Sequence, residues 1–267
     1  SSNSATKVPT QQSVKAYVDS EVSSAGGVSS DAQGNTVGGT NAGNSFSGTS
    51  AIRNTLIGYN AGTSITTGDQ NTAIGYNAFY GNSGSVTGAA NIGIGYYVAG
   101  NLTSGYDNFL AGRFTGLALT EGYWNIAIGR DTFAAATTAS ENICLGLSAG
   151  TAITTAANNT ILGSDAANTL TTGSNCLVLG HNAQPSSNTV SNEITLGSTN
   201  ISKLRVPALN FILKSSTATE GHVLTVDANG EAGFAAAGGG GVSSDSNNNT
   251  VGGTGAGGSF SNAEDCT

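Results

Sequence analysis

Two histidines, His181 and His222, and three cysteines, Cys144, Cys176 and Cys266, are the whole supply of imidazole and thiol in a chain of 267 residues. Metal centres and nucleophile–base pairs are built from such groups, and the chain is poorly stocked for either. Carboxylates remain, because a facing pair of Asp or Glu residues can cleave a glycosidic bond. Asp107, Glu121, Asp131, Glu141 and Asp165 could serve, but they are spread along the chain at positions that do not match, as chance surface acids would be. Tyr123 beside Trp124, the single tryptophan, is the candidate receptor contact; the plainer reading is an aromatic packed against an adjacent chain. No catalytic residue, metal ligand or cofactor-binding motif emerges, so the expectation is a protein that is not an enzyme. The unpatterned cysteines do not describe a disulfide framework and read as small apolar fillers.

Composition points the same way. Only 9% of residues are charged and glycine occurs 40 times, against roughly a quarter charged and ~7% glycine in ordinary soluble domains. The net charge of -8 and eight scattered Lys and Arg residues exclude a nucleic-acid partner, whose phosphates need clustered cations. No apolar run approaches the ~20 residues that span a bilayer, so no membrane insertion is expected in this segment. The opening SSNSATKVPT has neither a Met nor an apolar signal core, and the chain is expected to start inside a longer protein.

The elements that would hold any site come from a repeat. The motif Asn-x-x-Ile/Leu-Gly recurs with its glycine at Gly58, Gly75, Gly95, Gly112, Gly129, Gly146, Gly163, Gly180 and Gly197, a 17-residue period broken once, between Gly75 and Gly95. The longer step falls in FYGNSGSVTGAA and reads as a three-residue insertion at a coil edge; NTVGG at Gly39 adds a degenerate earlier coil. A fixed short period is the mark of a solenoid whose units bury apolar surface only against their neighbours.

Before each glycine stands an aliphatic column (Ile57, Ile74, Ile94, Ile128, Leu145, Leu162, Leu179 and Leu196, with Ala111), read as core. Residues two earlier share its face, and the residue between points oppositely yet is also small or apolar. A strand apolar on both faces is buried on both, so one face lines the coil and the other packs on something outside it. A second short strand is expected around Ile65, Leu102, Leu119, Ile153 and Leu170. Gly68, Gly88, Gly105, Gly122 and Gly173 then turn the corner with positive φ. Ten coils at ~4.8 Å would make a rod roughly 45 to 50 Å long.

Asn54, Asn71, Asn91, Asn108, Asn125, Asn142 and Asn159 open the motif, followed by Cys176 and Glu193 in the last two units. The column reads as an Asn ladder capping turn amides, rather than an array of calcium ligands, since amides carry no charge. Tyr59, Tyr76 and Tyr96, continued by Arg113 and Arg130, form an aromatic ladder, with sugar stacking as the alternative.

A coil this short encloses little, and its second apolar stripe needs burial against symmetry mates. Over about residues 35–200 the coils resemble the head repeats of trimeric autotransporter adhesins, and equally the NTAIGYNA-type repeats of phage tail fibres. The resemblance implies an all-β fold, a left-handed parallel β-roll with 17-residue coils, intertwined as a homotrimer. ATKVPTQQSVKAYVDSEVSS is expected to be a helix starting at Pro9 and Thr10, with Val14, Tyr17 or Val18, and Val22 on one narrow stripe suited to a short trimeric coiled coil, and its KVPTQQSVKAYVD part resembles a tail-fibre segment. NEITLGSTNISKLRVP and the GHVLTVDANGEAGFAA hairpin also resemble tail-fibre modules.

The segment GGVSSDAQGNTVGGTNAGNSFS around Val28 recurs around Val242 as GGVSSDSNNNTVGGTGAGGSFS, as a second solenoid module would begin. The expected organisation is a helical connector over 1–25, the solenoid over 26–200, a hairpin connector over 201–237, and a glycine joint with the start of a second module over 238–267. The function expected from the resemblance is that of a phage tail-fibre shaft on the virion, partnered by other tail or fibre proteins and by a host receptor at its distal tip. The alternatives are a bacterial-surface adhesin head and, third, a polysaccharide-degrading tailspike.

Overall fold

The computed structural model describes residues 11–15, 17, 27–203, 222–226, 232–236, 243–244 and 250–251. The chain divides into two compact units, residues 1–203 and 204–267. In the first, a two-residue β1 (Ser29–Ser30) is followed by three-residue strands that recur once per motif: β2 (Thr36–Gly38), β3 (Thr55–Ile57), β4 (Thr72–Ile74), β5 (Ile92–Ile94), β6 (Phe109–Ala111), β7 (Ile126–Ile128), β8 (Ile143–Leu145), β9 (Thr160–Leu162), β10 (Leu177–Leu179) and β11 (Ile194–Leu196). They form one eleven-stranded sheet in sequence order. Each strand from β2 to β11 pairs in parallel with the next and with the same motif position opposite, as Ile126 is to Ile143. This is a parallel β-solenoid, and β1 closes its first coil by an antiparallel pairing with β2.

The strand's inside is the reverse of the sequence expectation. The middle residues Leu56, Ala73, Leu110, Ala127, Cys144, Ile161 and Val178 are fully buried. The aliphatic column before the glycine, read as core, faces out: Ile74, Ile94 and Ile128 are 38–41% exposed. Side-chain size contributes to this. A lumen closed by so short a coil admits Ala73, Gly93 and Ala127, and at Gly93 even a Cβ would come within 2.4 Å of the Phe79 ring that fills the space. The outer columns carry the β-branched and aromatic residues that flank these small ones, Ile92, Ile94, Ile126 and Ile128 among them.

The second segment of each coil also differs from expectation. Ile65, Leu102, Leu119, Ile153 and Leu170 are buried as predicted, but the backbone there is bent and forms no strand; Ile65 and Val86 make an isolated parallel bridge. Hydrogen bonds still climb from coil to coil: the Thr103 N–H donates to the Thr120 carbonyl at 3.0 Å and its Oγ1 to the same oxygen at 3.1 Å. Thr120, Thr137 and Thr154 repeat this side-chain bond one coil further on.

The corner glycines do not carry positive φ. It falls two residues later, on Gln70, Ala90, Asp107, Trp124 and Asn175 (φ 53 to 59°). Gly88, Gly122 and Gly173 are required for space: a Cβ would lie 1.9–2.1 Å from a carbonyl oxygen of the next coil. The inserted residues after Phe79 sit in a loop where Gly81 and Gly84 turn with positive φ, and Val86 takes the inward place.

Residues 11–15 and 17 are helical, with Val14 and Tyr17 exposed; Val18 and Val22 lie outside the described residues. In the second unit β12 (His222–Val226) and β13 (Ala232–Ala236) form the expected antiparallel hairpin. There too β14 (Ser243–Ser244) pairs with β15 (Thr250–Val251) in the register of β1 with β2, Ser243 opposite Val251 as Ser29 is opposite Val37. The repeated sequence thus makes the same local ladder. The Gly238–Gly241 joint and Cys266 lie outside the described residues.

Candidate functional site: the outer strand face and its two edges

The buried side of each coil is fixed by the asparagines. Asn125 is typical: its Nδ2 donates to Asn108 Oδ1 at 2.9 Å and to the Ala139 carbonyl at 2.8 Å. Its own Oδ1 accepts from the N–H and Nδ2 of Asn142, both at 3.1 Å. Asn54, Asn71, Asn91, Asn108, Asn142 and Asn159 occupy the same column and are buried, so each amide is spent on protein partners. Asn35, one coil below the predicted start, belongs to it as well, with its Oδ1 accepting from the Asn54 N–H. Its place in the NTVGG coil was the available clue.

Carboxylates close the column at both ends. Asp31 accepts from the Nδ2 and N–H of Asn35, both at 2.8 Å, and these bonds, the side-chain one foremost, hold its pKa below the usual carboxylate value. Glu193 accepts from the Ser186 hydroxyl and N–H and from Thr195 Oγ1, and the Ser186 hydroxyl leads in lowering it. A lowered folded pKa gives stability that is present above the unfolded value, near pH 4, and lost as pH falls through the folded value. The two ends of the solenoid are therefore expected to open first in acid. Melting followed by circular dichroism checks this: Asp31→Asn with Glu193→Gln should flatten the fall in Tm between about pH 5 and pH 3.

The outer face carries two columns running the length of the rod, Thr55, Thr72, Ile92, Phe109, Ile126, Ile143, Thr160, Leu177 and Ile194 beside the aliphatic pre-glycine column. One edge of this face is the residue after the motif glycine. There Tyr59, Tyr76 and Tyr96 stack at 5.2 and 5.3 Å with rings within 11° of parallel. The Arg113 guanidinium continues the stack, 5.8 Å from the Tyr96 ring and 4.6 Å from Phe114, and Arg130 follows, paired with Asp131 at 3.0 Å. Further along the same column His181 stands in solvent.

The opposite edge is the residue before each ladder Asn. Trp124 stands there at φ 53° and 55% exposed, its Nε1 donating to Asp107 Oδ2 at 3.3 Å. Tyr106 and Tyr123 stack at 4.9 Å, and Trp124 meets Tyr123 edge-on at 5.3 Å. A bulky residue in the left-handed region costs about 1–2 kcal/mol; the coil-to-coil bond from the Trp124 N–H to the Tyr106 carbonyl holds it there.

The acids are better matched than their sequence suggests. Asp107 and Glu141 share this edge column two coils apart with Trp124 between them, and Asp131 and Asp165 share another. Two coils separate the members of each pair by about 10 Å, too far to share a proton. Glu121 stands alone at a corner. Among the described residues no three His, Cys, Asp or Glu side chains gather as a metal site, and no helix is long and apolar enough to cross a membrane.

Cys144 and Cys176 are unpaired and buried, and burial pushes the Cys144 thiol well above its usual value. A thiol that stays protonated is a poor nucleophile. Both residues should stay unmodified by a maleimide in the native protein and react fully after denaturation, read by peptide mapping. Comparison with known proteins finds no matching family model, no matching curated protein and no matching solved structure.

Proposed function

We propose that the chain is a structural fibre protein of a phage tail, in which three copies form a rigid, left-handed β-roll shaft that carries a receptor-binding tip towards the host. The observation that supports this most is the outer strand face. Its columns hold Ile74, Ile92, Ile94, Phe109, Ile126, Ile128 and Ile143, each 37–41% exposed in a single chain. Contiguous apolar surface on this scale marks a protein–protein interface, and rotation about an axis parallel to the rod buries the same stripe on every copy. The helical stripe of Val14 and Tyr17 suits a short coiled coil at the start of such a trimer.

A shaft needs no chemistry along its length, which agrees with solvent-facing acids held apart and amides committed to the ladder. Its partners are other tail or fibre proteins and, through the tip, a host receptor; its place is the virion tail. The cluster of exposed Tyr106 and Trp124 around half-buried Tyr123 favours the second reading, an autotransporter adhesin head on a bacterial surface. Immunogold labelling with antibody to residues 27–203 tests between them. Gold along the fibres of purified tail particles supports the shaft, whereas gold on the bacterial envelope with bare particles overturns it.

A further inference from the structure

Arg53, Arg113 and Arg130 are all the Lys and Arg residues between positions 27 and 202, and all three stand on the two edges of the outer strand face. Read upward, the post-glycine edge is Tyr59, Tyr76, Tyr96, Arg113, Arg130 and Leu147, and the opposite edge in the same coils is Arg53, Gln70, Ala90, Asp107, Trp124 and Glu141. Coil by coil, Arg113 thus stands level with Asp107, Arg130 with Trp124 and Leu147 with Glu141, and Arg53 stands level with Tyr59. Arg113, Arg130, Asp107, Trp124 and Glu141 are all exposed. Within one chain the edges lie six residues of largely extended backbone apart, up to about 20 Å, beyond the reach of an ion pair. The edges therefore cannot satisfy one another in a single copy.

Cyclic symmetry brings them together. When copies turn their strand faces to a common axis, rotation places the post-glycine edge of one beside the pre-asparagine edge of the next, because such an interface joins two different patches. We propose that neighbouring copies pack edge to edge with equal coils level, Arg113 against Asp107 and Arg130 against Trp124 of the adjoining copy with Glu141 one coil on, so that these contacts favour the level, closed assembly over a staggered, open one. The inference rests on the trimer proposed above and adds which residues meet and at what stagger. The apolar columns alone do not set a stagger, since one coil's aliphatics resemble the next; the charged segment occurs once along the rod. Its acidic side borders a groove of about 360 Å³ lined by Ala90, Ile92, Asp107, Asn108, Phe109, Trp124 and Ile126, open to receive a neighbour's side chains. Arginine suits the position, since it stacks on an aromatic face and pairs with carboxylate from one planar group.

Cross-linking of the full chain tests the register. With Cys266→Ser as background, Asp107→Cys combined with Arg113→Cys should on oxidation run mostly as covalent dimers and trimers in denaturing gels. Asp107→Cys with Ser164→Cys, offset by three coils or about 14 Å, should remain single chains. A trimer by mass that links only through the offset pair, or through neither, overturns the register and leaves the trimer standing; a monomer by mass overturns both. Charge reversal decides the matter should the cysteine pair fail to fold. Asp107→Arg should raise the dissociation constant of the trimer at least tenfold and Asp107→Arg with Arg113→Asp should restore it, while failure of the double variant to recover overturns the pairing.

Discussion

Asn125→Asp is expected to open the middle of the rod. The change is nearly isosteric, but it replaces the amide Nδ2 by an oxygen that would face Asn108 Oδ1 and the Ala139 carbonyl, now 2.9 and 2.8 Å away. Ionised, the carboxylate would be a buried charge against two acceptors; protonated, its single hydrogen could serve only one of them. Asn125 is 1% exposed, so water cannot take over. Breaking a buried polar arrangement in this way costs about 3–5 kcal/mol, roughly 10 °C in Tm for a unit of this size. Stability in a solenoid is a sum over units and their nearest neighbours, so the damage should be local. Chymotrypsin should cut at Tyr123 and Trp124 in the variant well before it cuts elsewhere. Asn125→Ala, which removes donor and acceptor together, should be milder at pH 7 than Asn125→Asp, and the gap should narrow as the pH falls.

Gly129→Ala is expected to do comparable harm for a different reason. Gly129 has φ +140°, and a Cβ there would lie 2.4 Å from the Gly146 carbonyl oxygen and 2.6 Å from Thr132 Oγ1. The Gly146 N–H is bonded to the coil below through Ile128, so relief of the clash must push adjacent coils apart. Gly84 separates the two contributions: its φ is +134° but nothing lies within 4 Å of its would-be Cβ. Gly84→Ala should therefore cost only the backbone conformation, about 1–3 kcal/mol. Gly129→Ala should cost more than Gly84→Ala by at least about 1 kcal/mol, the excess being the stacking clash. Chemical denaturation of the two variants side by side measures the difference, and equal losses would show that close coil approach is not what the motif glycine serves.

The repeat was plain in the sequence because one glycine per coil has no substitute, and the spacing of Gly58 to Gly197 carries directly into the parallel register. Which strand face points inward was not plain. Hydrophobicity could not separate Leu56 from Ile57, since both faces are apolar; size hints at the answer only in the coils where the inner column falls to Ala73, Gly93 and Ala127, for elsewhere it holds Leu110, Ile161 and Val178. The corner glycines misled in a similar way. Glycine at position 88 or 122 answers a neighbouring carbonyl, whereas the left-handed backbone falls on Asp107 and Trp124, and for the bulky Trp124 local preference would not place it there. Such conformations are imposed by the coil above and below, and no single stretch of sequence contains that information. The edge pairing proposed for Asp107 with Arg113 and Trp124 with Arg130 is no more legible in the sequence, because each pair is six residues apart in one chain and would meet only between copies.

Everything proposed for the rod depends on its outer strand face being covered by further copies of the chain. Sedimentation equilibrium of the purified chain at about 1 µM, a concentration at which a structural interface should remain closed, tests this most directly. The expected result is one species at three times the 26.2 kDa chain mass, falling to monomer when Ile126 and Ile128 are both changed to Asp. A chain that sediments as a monomer at that concentration while keeping its β-sheet circular dichroism would contradict it.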